Sequence, residues 1–340
     1  MHVLITGGSG FVGTRMSELL KARGVKHTCL DRIHPREGSS KDFAEMDIRD
    51  PDRVDDLFAR NTFDAVLHLA AAHHDFGISK KTFHDVNVEG TKNICASMLK
   101  HGVRRLCFYS SVAVYGRCNA PPTEDCQPCP DSDYGETKLL AEEECQRWSQ
   151  AHLANQALVI RPTVIFGPNN FANMYSLIRQ IDRRAFVQVG PMKNQKSLAY
   201  IDNIVNATIE IWLDRVSERE PFEVFNYVDK PDLTSKQIST QIFESLNRNH
   251  APFSIPLQLA KILAIPFDLT IAATKKNLPV SSARIKKLAS DSTVFDSAKV
   301  HSVSKCKKVS IADGIKIMVD WYRSGGSDAR FIDRRPPESA

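Results

Sequence analysis

The segment Thr6-Gly7-Gly8-Ser9-Gly10-Phe11-Val12-Gly13 constrains this chain more than any other. The apolar run His2–Thr6 precedes it and the amphipathic stretch Phe11–Ala22 follows, so the glycines fall at the turn from a strand into a helix. That is the context a dinucleotide-binding turn needs. Gly7 permits the tight turn, Gly10 lets the backbone approach a pyrophosphate, and Gly13 lets the helix sit close on the strand. The helix N-terminus adds N–H donors and a positive dipole for the phosphates, with Phe11 and Val12 in the same binding turn. The spacing is GxxGxxG rather than GxGxxG.

The pattern continues as alternating strands and helices. Val25–Asp31, Ala65–Ala70, Arg105–Ser110 and Ala157–Arg161 read as further strands; Pro51–Arg60, Ser79–Leu99 and Tyr134–His152 read as helices between them. Near-continuous apolar runs such as Ala65-Val66-Leu67 suit parallel strands buried on both faces. The expected fold is α/β, a Rossmann-type doubly wound parallel sheet with a smaller C-terminal substrate-binding lobe. Residues 1–165 and about 191–216 are expected to form the NAD-binding domain, 166–190 and 217–325 the lobe, and 326–340 a flexible tail. In the lobe, Asn173–Asp182, Asp202–Asp214, Thr234–Leu246 and Ile311–Tyr322 look helical, with short strands at Phe186–Val189 and Val224–Tyr227.

At 340 residues, 42% apolar and 25% charged, the chain can bury a sizeable core, which excludes disordered and collagen-like classes. The 45 basic and 40 acidic residues give a net charge of +5 spread along the chain, so no basic tract points to nucleic acid. Eight scattered cysteines and a first strand close to Met1 set the expectation of a reduced, cytoplasmic protein. The apolar stretch from 255 to 273 is interrupted by Pro256, Lys261, Pro266 and Asp268, so no membrane span is expected. Cys126-Gln127-Pro128-Cys129 is a single CxxC without a second pair, and no metal site is expected from it.

Asp31 ends the second strand 18 residues beyond Gly13, where a carboxylate accepts hydrogen bonds from the adenosine ribose hydroxyls and favours NAD over NADP. Arg32 beside it could receive a 2′-phosphate. Asp47 and Ile48, after the next predicted strand, are placed to meet the adenine. Ser111 follows a strand end, and Tyr134 and Lys138 share one helical face at i,i+4 spacing. An ammonium near a phenol lowers the phenol pKa from about 10 and makes it a usable base.

These residues resemble the extended short-chain dehydrogenase/reductases, in particular the NAD-dependent nucleotide-sugar epimerases and dehydratases. The matching segments, in order, are TGGSGFVG, Asp31, Asp47-Ile48, His68-Leu69-Ala70-Ala71, Asn87-Val88-Glu89-Gly90-Thr91, SSVAVYG, YGETK, Arg161-Pro162, Phe166-Gly167-Pro168 and Tyr200-Ile201-Asp202-Asn203. The resemblance implies NAD as cofactor. It gives pyrophosphate contacts to Gly7, Gly10 and Gly13, and lines the cofactor with Leu69, Ala70, Ala71 and Asn87. Tyr134 would be the acid/base, Lys138 would hold the nicotinamide ribose and lower the Tyr134 pKa, and Ser111 would orient the substrate hydroxyl.

Within that family, dehydratases resemble Thr-Asp-Glu where this chain has Ser111-Val112-Ala113, so elimination lacks its acid and base. UDP-hexose 4-epimerases are similar at Ser111, Tyr134 and Lys138, in the helix opened by Asn173, and in a basic residue at Lys196. The stretch 190–198 looks like the branch acting on cell-surface polysaccharide precursors. The chain departs from the epimerases at Val164, where Asn is usual, and lacks the Arg often found near 287–292. The expected function is a UDP-hexose-type epimerase. The alternatives are a 3β-hydroxysteroid dehydrogenase-like oxidoreductase, which the apolar stretch could serve, and a non-catalytic NAD-binding subunit. His73 sits where family members position substrate. Helices Ser79–Leu99 and Tyr134–His152 form a four-helix interface in related proteins, so a homodimer is expected.

Overall fold

The computed structural model describes residues 1–35, 42–73, 77–215, 220–248, 253–274, 292–329 and 332–339. Its strands in chain order are β1 (His2–Thr6), β2 (Lys26–Asp31), β3 (Phe43–Glu45), β4 (Ala65–His68), β5 (Arg105–Tyr109), β6 (Gln156–Pro162), β7 (Val164–Phe166), β8 (Val187–Val189), β9 (Gln195–Tyr200), β10 (Phe222–Tyr227), β11 (Asp229–Thr234) and β12 (Phe253–Ile255). Seven of them form one sheet in the order β10-β6-β5-β4-β1-β2-β3, every neighbouring pair parallel. The order reverses between β1 and β4, so the ligand crevice opens at their C-terminal ends.

Period-two alternation decides which layer each side chain joins. Val3 and Ile5 of β1 pack with Met16 and Leu20 of α1 (Phe11–Ala22), while Leu4 faces Val54 and Phe58 of α2 (Pro51–Arg60) on the other side. All five β1 residues are buried, including the polar Thr6.

The stretch expected as one helix over Ser79–Leu99 is α3 (Lys80–His84), a wide π turn over Asp85–Glu89, and α4 (Gly90–Lys100). The extra residue in that turn buries Asn87, and such bulges recur at functional sites. α5 (Asp133–Gln150) packs beside α4 and against β6.

The smaller lobe contains the sheet β11-β9-β7, the pair β12-β8, and helices α6 (Asn173–Asp182), α8 (Ser235–Ser245) and α9 (Leu257–Thr274), while α7 (Ile201–Ile209) packs against α1, with Thr208 Oγ1 2.7 Å from Tyr109 Oη of β5. Two segments lie differently from the expected boundaries. β10, expected in the lobe, pairs with β6 at the edge of the large sheet, and β9, expected in the NAD-binding half, carries the small sheet. Both follow from a shared core: Val3, Ile5 and Leu158 belong to the same apolar cluster as Ile238, Ile315 and Met318 of the lobe. The C-terminal residues 332–339, expected to be flexible, lie against the NAD-binding half.

Candidate active site

The glycine turn is packed too closely for any side chain. Gly7 has φ +67, and a Cβ there would stand 2.7 Å from the Ala70 backbone nitrogen; at Gly13 it would stand 2.3 Å from the Gly7 carbonyl oxygen. α1 starts after Gly10 with no side-chain cap, which leaves its first N–H groups for a ligand. These are the features a pyrophosphate cradle requires, and the residues present fit NAD.

A buried polar network holds the turn after β4 against it. Thr6 Oγ1 lies 2.6 Å from His68 Nδ1 and accepts from Ala70 N at 3.2 Å. His68 Nε2 lies 3.0 Å from Thr91 Oγ1, which itself donates to Asn87 O, so the ring carries its proton on Nε2. Burial, reinforced by the nearby Lys138 charge, pulls the His68 pKa down to about 3, so this ring stays neutral. Asn87, expected to touch cofactor, accepts from Ala72 N at 2.8 Å and donates to Ala72 O and to Thr137 Oγ1. It clamps the Leu69–Ala72 turn onto α5. The sequence signal for Thr137 is its place inside the YxxxK segment.

Where the adenosine is expected, Asp31 accepts from Ser9 N at 3.2 Å and from Arg32 N at 2.7 Å. Asp47 is pulled upward by burial, but Arg49 at 2.8 Å and Arg32 at 3.7 Å outweigh that and hold its carboxyl below the usual range. Sequence reading assigns no role to Arg49. Ile48 is buried, and its carbonyl accepts from Asn93.

The second half of the site hangs from β5. Ser111 caps a short 3-10 turn, its Oγ accepting from Ala113 N at 3.1 Å. The first turn of α5 presses on that turn: a Cβ on Gly135 would stand 2.4 Å from the Ala113 carbonyl oxygen. Tyr134 therefore sits beside the Ser111 turn, half-buried, its ring packed near Phe83. One helical turn on, Lys138 is 2% exposed and donates to the Tyr109 carbonyl. Burial pushes its ammonium from an ordinary 10.5 down to about 8. The neighbouring Ser110 hydroxyl is buried with no hydrogen-bond partner among the described residues.

A buried ion pair fixes the angle of α5. Arg161 of β6 forks onto Glu142 at 2.9 and 2.6 Å, both side chains 5% exposed, and donates to Tyr115 Oη at 2.8 Å. Replacing Glu142 by Leu leaves an uncompensated buried guanidinium. We expect a loss of roughly 3–5 kcal/mol of unfolding free energy in denaturant titration; a change under 1 kcal/mol would remove this pair as the anchor of α5.

Besides Ser111, the expected substrate residues lie on three separate segments. His73 is exposed, with Nδ1 3.3 Å from Ala71 O, and residues 74–76 lie outside the described residues. Asn173 is exposed at the start of α6, and Lys196 is half-buried on β9. Cys118, Cys126 and Cys129 are exposed and free, and among the described residues no group of three or more His, Cys, Asp or Glu could hold a metal ion.

Residues 3–226 match the NAD dependent epimerase/dehydratase family. Over 336 residues the chain is 38% identical to N-acetyl-alpha-D-glucosaminyl-diphospho-ditrans,octacis-undecaprenol 4-epimerase of Escherichia coli O157:H7, covering 97% of this chain and 98% of that protein. UDP-glucose 4-epimerase of Bacillus subtilis is 34% identical over 158 residues, 42% of this chain and 46% of that one. Among solved structures, UDP-glucose 4-epimerase of Thermotoga maritima with UDP-glucose superimposes with a TM-score of 0.74 at 21% identity, covering 95% of this chain and 99% of that one.

Proposed function

The chain belongs to the NAD dependent epimerase/dehydratase family, and on that footing we propose that it is a 4-epimerase of a sugar carried on a diphosphate. The reading rests on Lys138, whose buried ammonium reaches the strand end that leads to Ser111, one helical turn from Tyr134. In the first half-reaction Tyr134 Oη takes the proton of the C4 hydroxyl while Ser111 Oγ holds that oxygen. Lys138 stabilises the phenolate before and the tyrosine's proton release after. NAD held at the glycine turn by Gly7, Gly10 and Gly13 would supply the hydride acceptor and, on the return, the hydride donor. Between the halves the keto sugar turns its other face, so its anchor must lie away from the reacting carbon. The diphosphate serves, with Lys196 and Asn173 as proposed contacts. On the return Tyr134 hands its proton back to the oxygen, so the cycle needs no net oxidant.

Two carriers of the diphosphate fit the relatives, a uridine nucleotide and a polyprenol. The lobe favours the polyprenol. On α9, Ala260 and Ala264 face inward while Leu259, Ile262 and Leu263 are 44%, 60% and 56% exposed, an apolar stripe at i, i+3 and i+4. Val164, where the UDP-type relatives are expected to carry Asn, is 45% exposed.

The test is incubation with NAD and, separately, UDP-glucose, UDP-N-acetylglucosamine, a polyprenyl-diphosphate N-acetylglucosamine in detergent, and a 3β-hydroxysteroid. An epimer formed without accumulating NADH is the expected result. NADH accumulating with the steroid would replace this reading by the dehydrogenase one, and accumulation with a sugar would mean net oxidation.

No helix among the described residues is long and apolar enough to cross a membrane. A cytoplasmic site of action and a homodimer formed through α3–α4 and α5 are part of the proposal. Light scattering at several concentrations checks the latter, and a constant monomer mass would exclude it.

A further inference from the structure

Residues 332–339 cross the C-terminal ends of β1 and β2 and the loop after β3, over the adenosine half of the crevice. The guanidinium of Arg334 donates to Ser9 Oγ at 2.6 Å and stands 3.8 Å from the Asp31 carboxylate. Arg32, next to Asp31, donates to the carbonyls of Arg334 and Arg335 at 3.2 and 3.3 Å. Arg49, paired with Asp47, donates to Pro337 O and Ser339 Oγ at 3.3 and 3.2 Å. Beyond the crevice, the Glu338 carboxylate accepts from Ser79 N and Thr82 Oγ1, and Ser339 N donates to Thr82 Oγ1.

A polar terminus bonded only at the surface gains little from any one of these contacts, because each exposed ion pair is worth at most about 1 kcal/mol. This one has more. Pro336 is buried, and two successive prolines lower the entropy lost when the segment is ordered. Its bonds fall on the residues flanking Asp31, Asp47 and the glycine turn, the positions a dinucleotide's adenosine must meet.

We propose that residues 332–339 are part of the cofactor site: a strap closing the adenosine half, with the Arg334 guanidinium bonding the ribose edge beside Asp31. The consequence is retention. Under the epimerase reading the cofactor must stay in place between the two halves of the cycle, and a wall tied down on both sides of the adenosine slows its escape.

Cofactor binding is read without substrate, so failure of the strap and failure of the epimerase reading are distinguishable. The full chain, a chain lacking residues 332–340, and Arg334→Ala are each stripped of cofactor and titrated with NAD by calorimetry, and NAD dissociation is timed by displacement. The expected result is an NAD Kd raised on the order of 10-fold or more without the strap. The increase resides in faster dissociation, with a smaller increase in Arg334→Ala that Arg334→Lys partly restores. The cofactor-free Tm changes by no more than a few degrees. An unchanged Kd in both variants would overturn the proposal, and a tighter Kd would overturn it by making the strap a competitor of the ribose. Should the shortened chain not fold, Arg334→Ala alone decides between these outcomes.

Discussion

Tyr134→Phe lowers epimerisation by about 10²–10⁴-fold and leaves the protein folded and able to bind NAD. The Phe ring keeps the packing near Phe83, whose centroid lies 6.3 Å away, so only the hydroxyl is lost. The turn that carries Ser111 stays in place, because Gly135 and not the phenol presses against Ala113. Initial rates, an NAD titration and a thermal melt on one preparation make the check. A rate within tenfold of the parent would exclude Tyr134 as the acid/base.

Lys138→Met carries the second large effect, and here stability and activity part company. The folded ammonium titrates at about 8 against an ordinary 10.5. Between those values the unfolded chain holds more protons than the folded one, so the parent's stability rises with pH across this window. Below about pH 8 the full cost of burying the charge applies, about 3 kcal/mol from a shift of this size. Methionine removes that cost but leaves the Tyr109 carbonyl without its donor, a loss of about 1–3 kcal/mol. The two nearly cancel, so Tm at pH 7 changes little, and the rise in stability between pH 8 and 10.5 disappears.

Activity does not cancel. In the proposed mechanism the ammonium lowers the Tyr134 pKa, so in Lys138→Met the pH at which the rate rises is expected to move toward the free-phenol value near 10. At pH 7 the rate falls by roughly 10²–10³-fold and recovers as the pH is raised. A loss of the same size at every pH would mean that Lys138 acts only by holding the cofactor's ribose.

The pieces of chemistry that depend on near neighbours were readable before any coordinates. Gly7 and Gly13 lie within a single turn and Tyr134 and Lys138 one turn apart on a helix, and the fold places them at the entry to α1 and on α5 as their spacing predicts. Asn173 could be read as the start of a helix, and α6 begins there. What spacing could not carry was pairing between distant segments. Asn87 reads as a cofactor contact, yet a π turn rotates it inward to hold Ala72 and Thr137. β10 reads as part of the lobe, yet its partner is β6, because apolar periodicity tells which face is buried and not which strand lies alongside.

The ion pair of Arg161 with Glu142 and the approach of Arg334 to Asp31 show the same limit. An Arg on a strand or in a polar tail is ordinary by composition, and only the fold brings these two beside the carboxylates that give them a role. By itself, then, the sequence determined the α/β class and the glycine turn and put Tyr134 and Lys138 one helical turn apart, because backbone sterics and helical periodicity act over a few residues; Ser111 comes beside α5 only in the fold. The tertiary structure alone decided the clamp at Asn87, the seat of α5 on Arg161, and the course of the C-terminal strap, because each is a contact between residues separated by tens to hundreds of positions. Their energy comes from burial and charge that exist only once the chain has closed on itself.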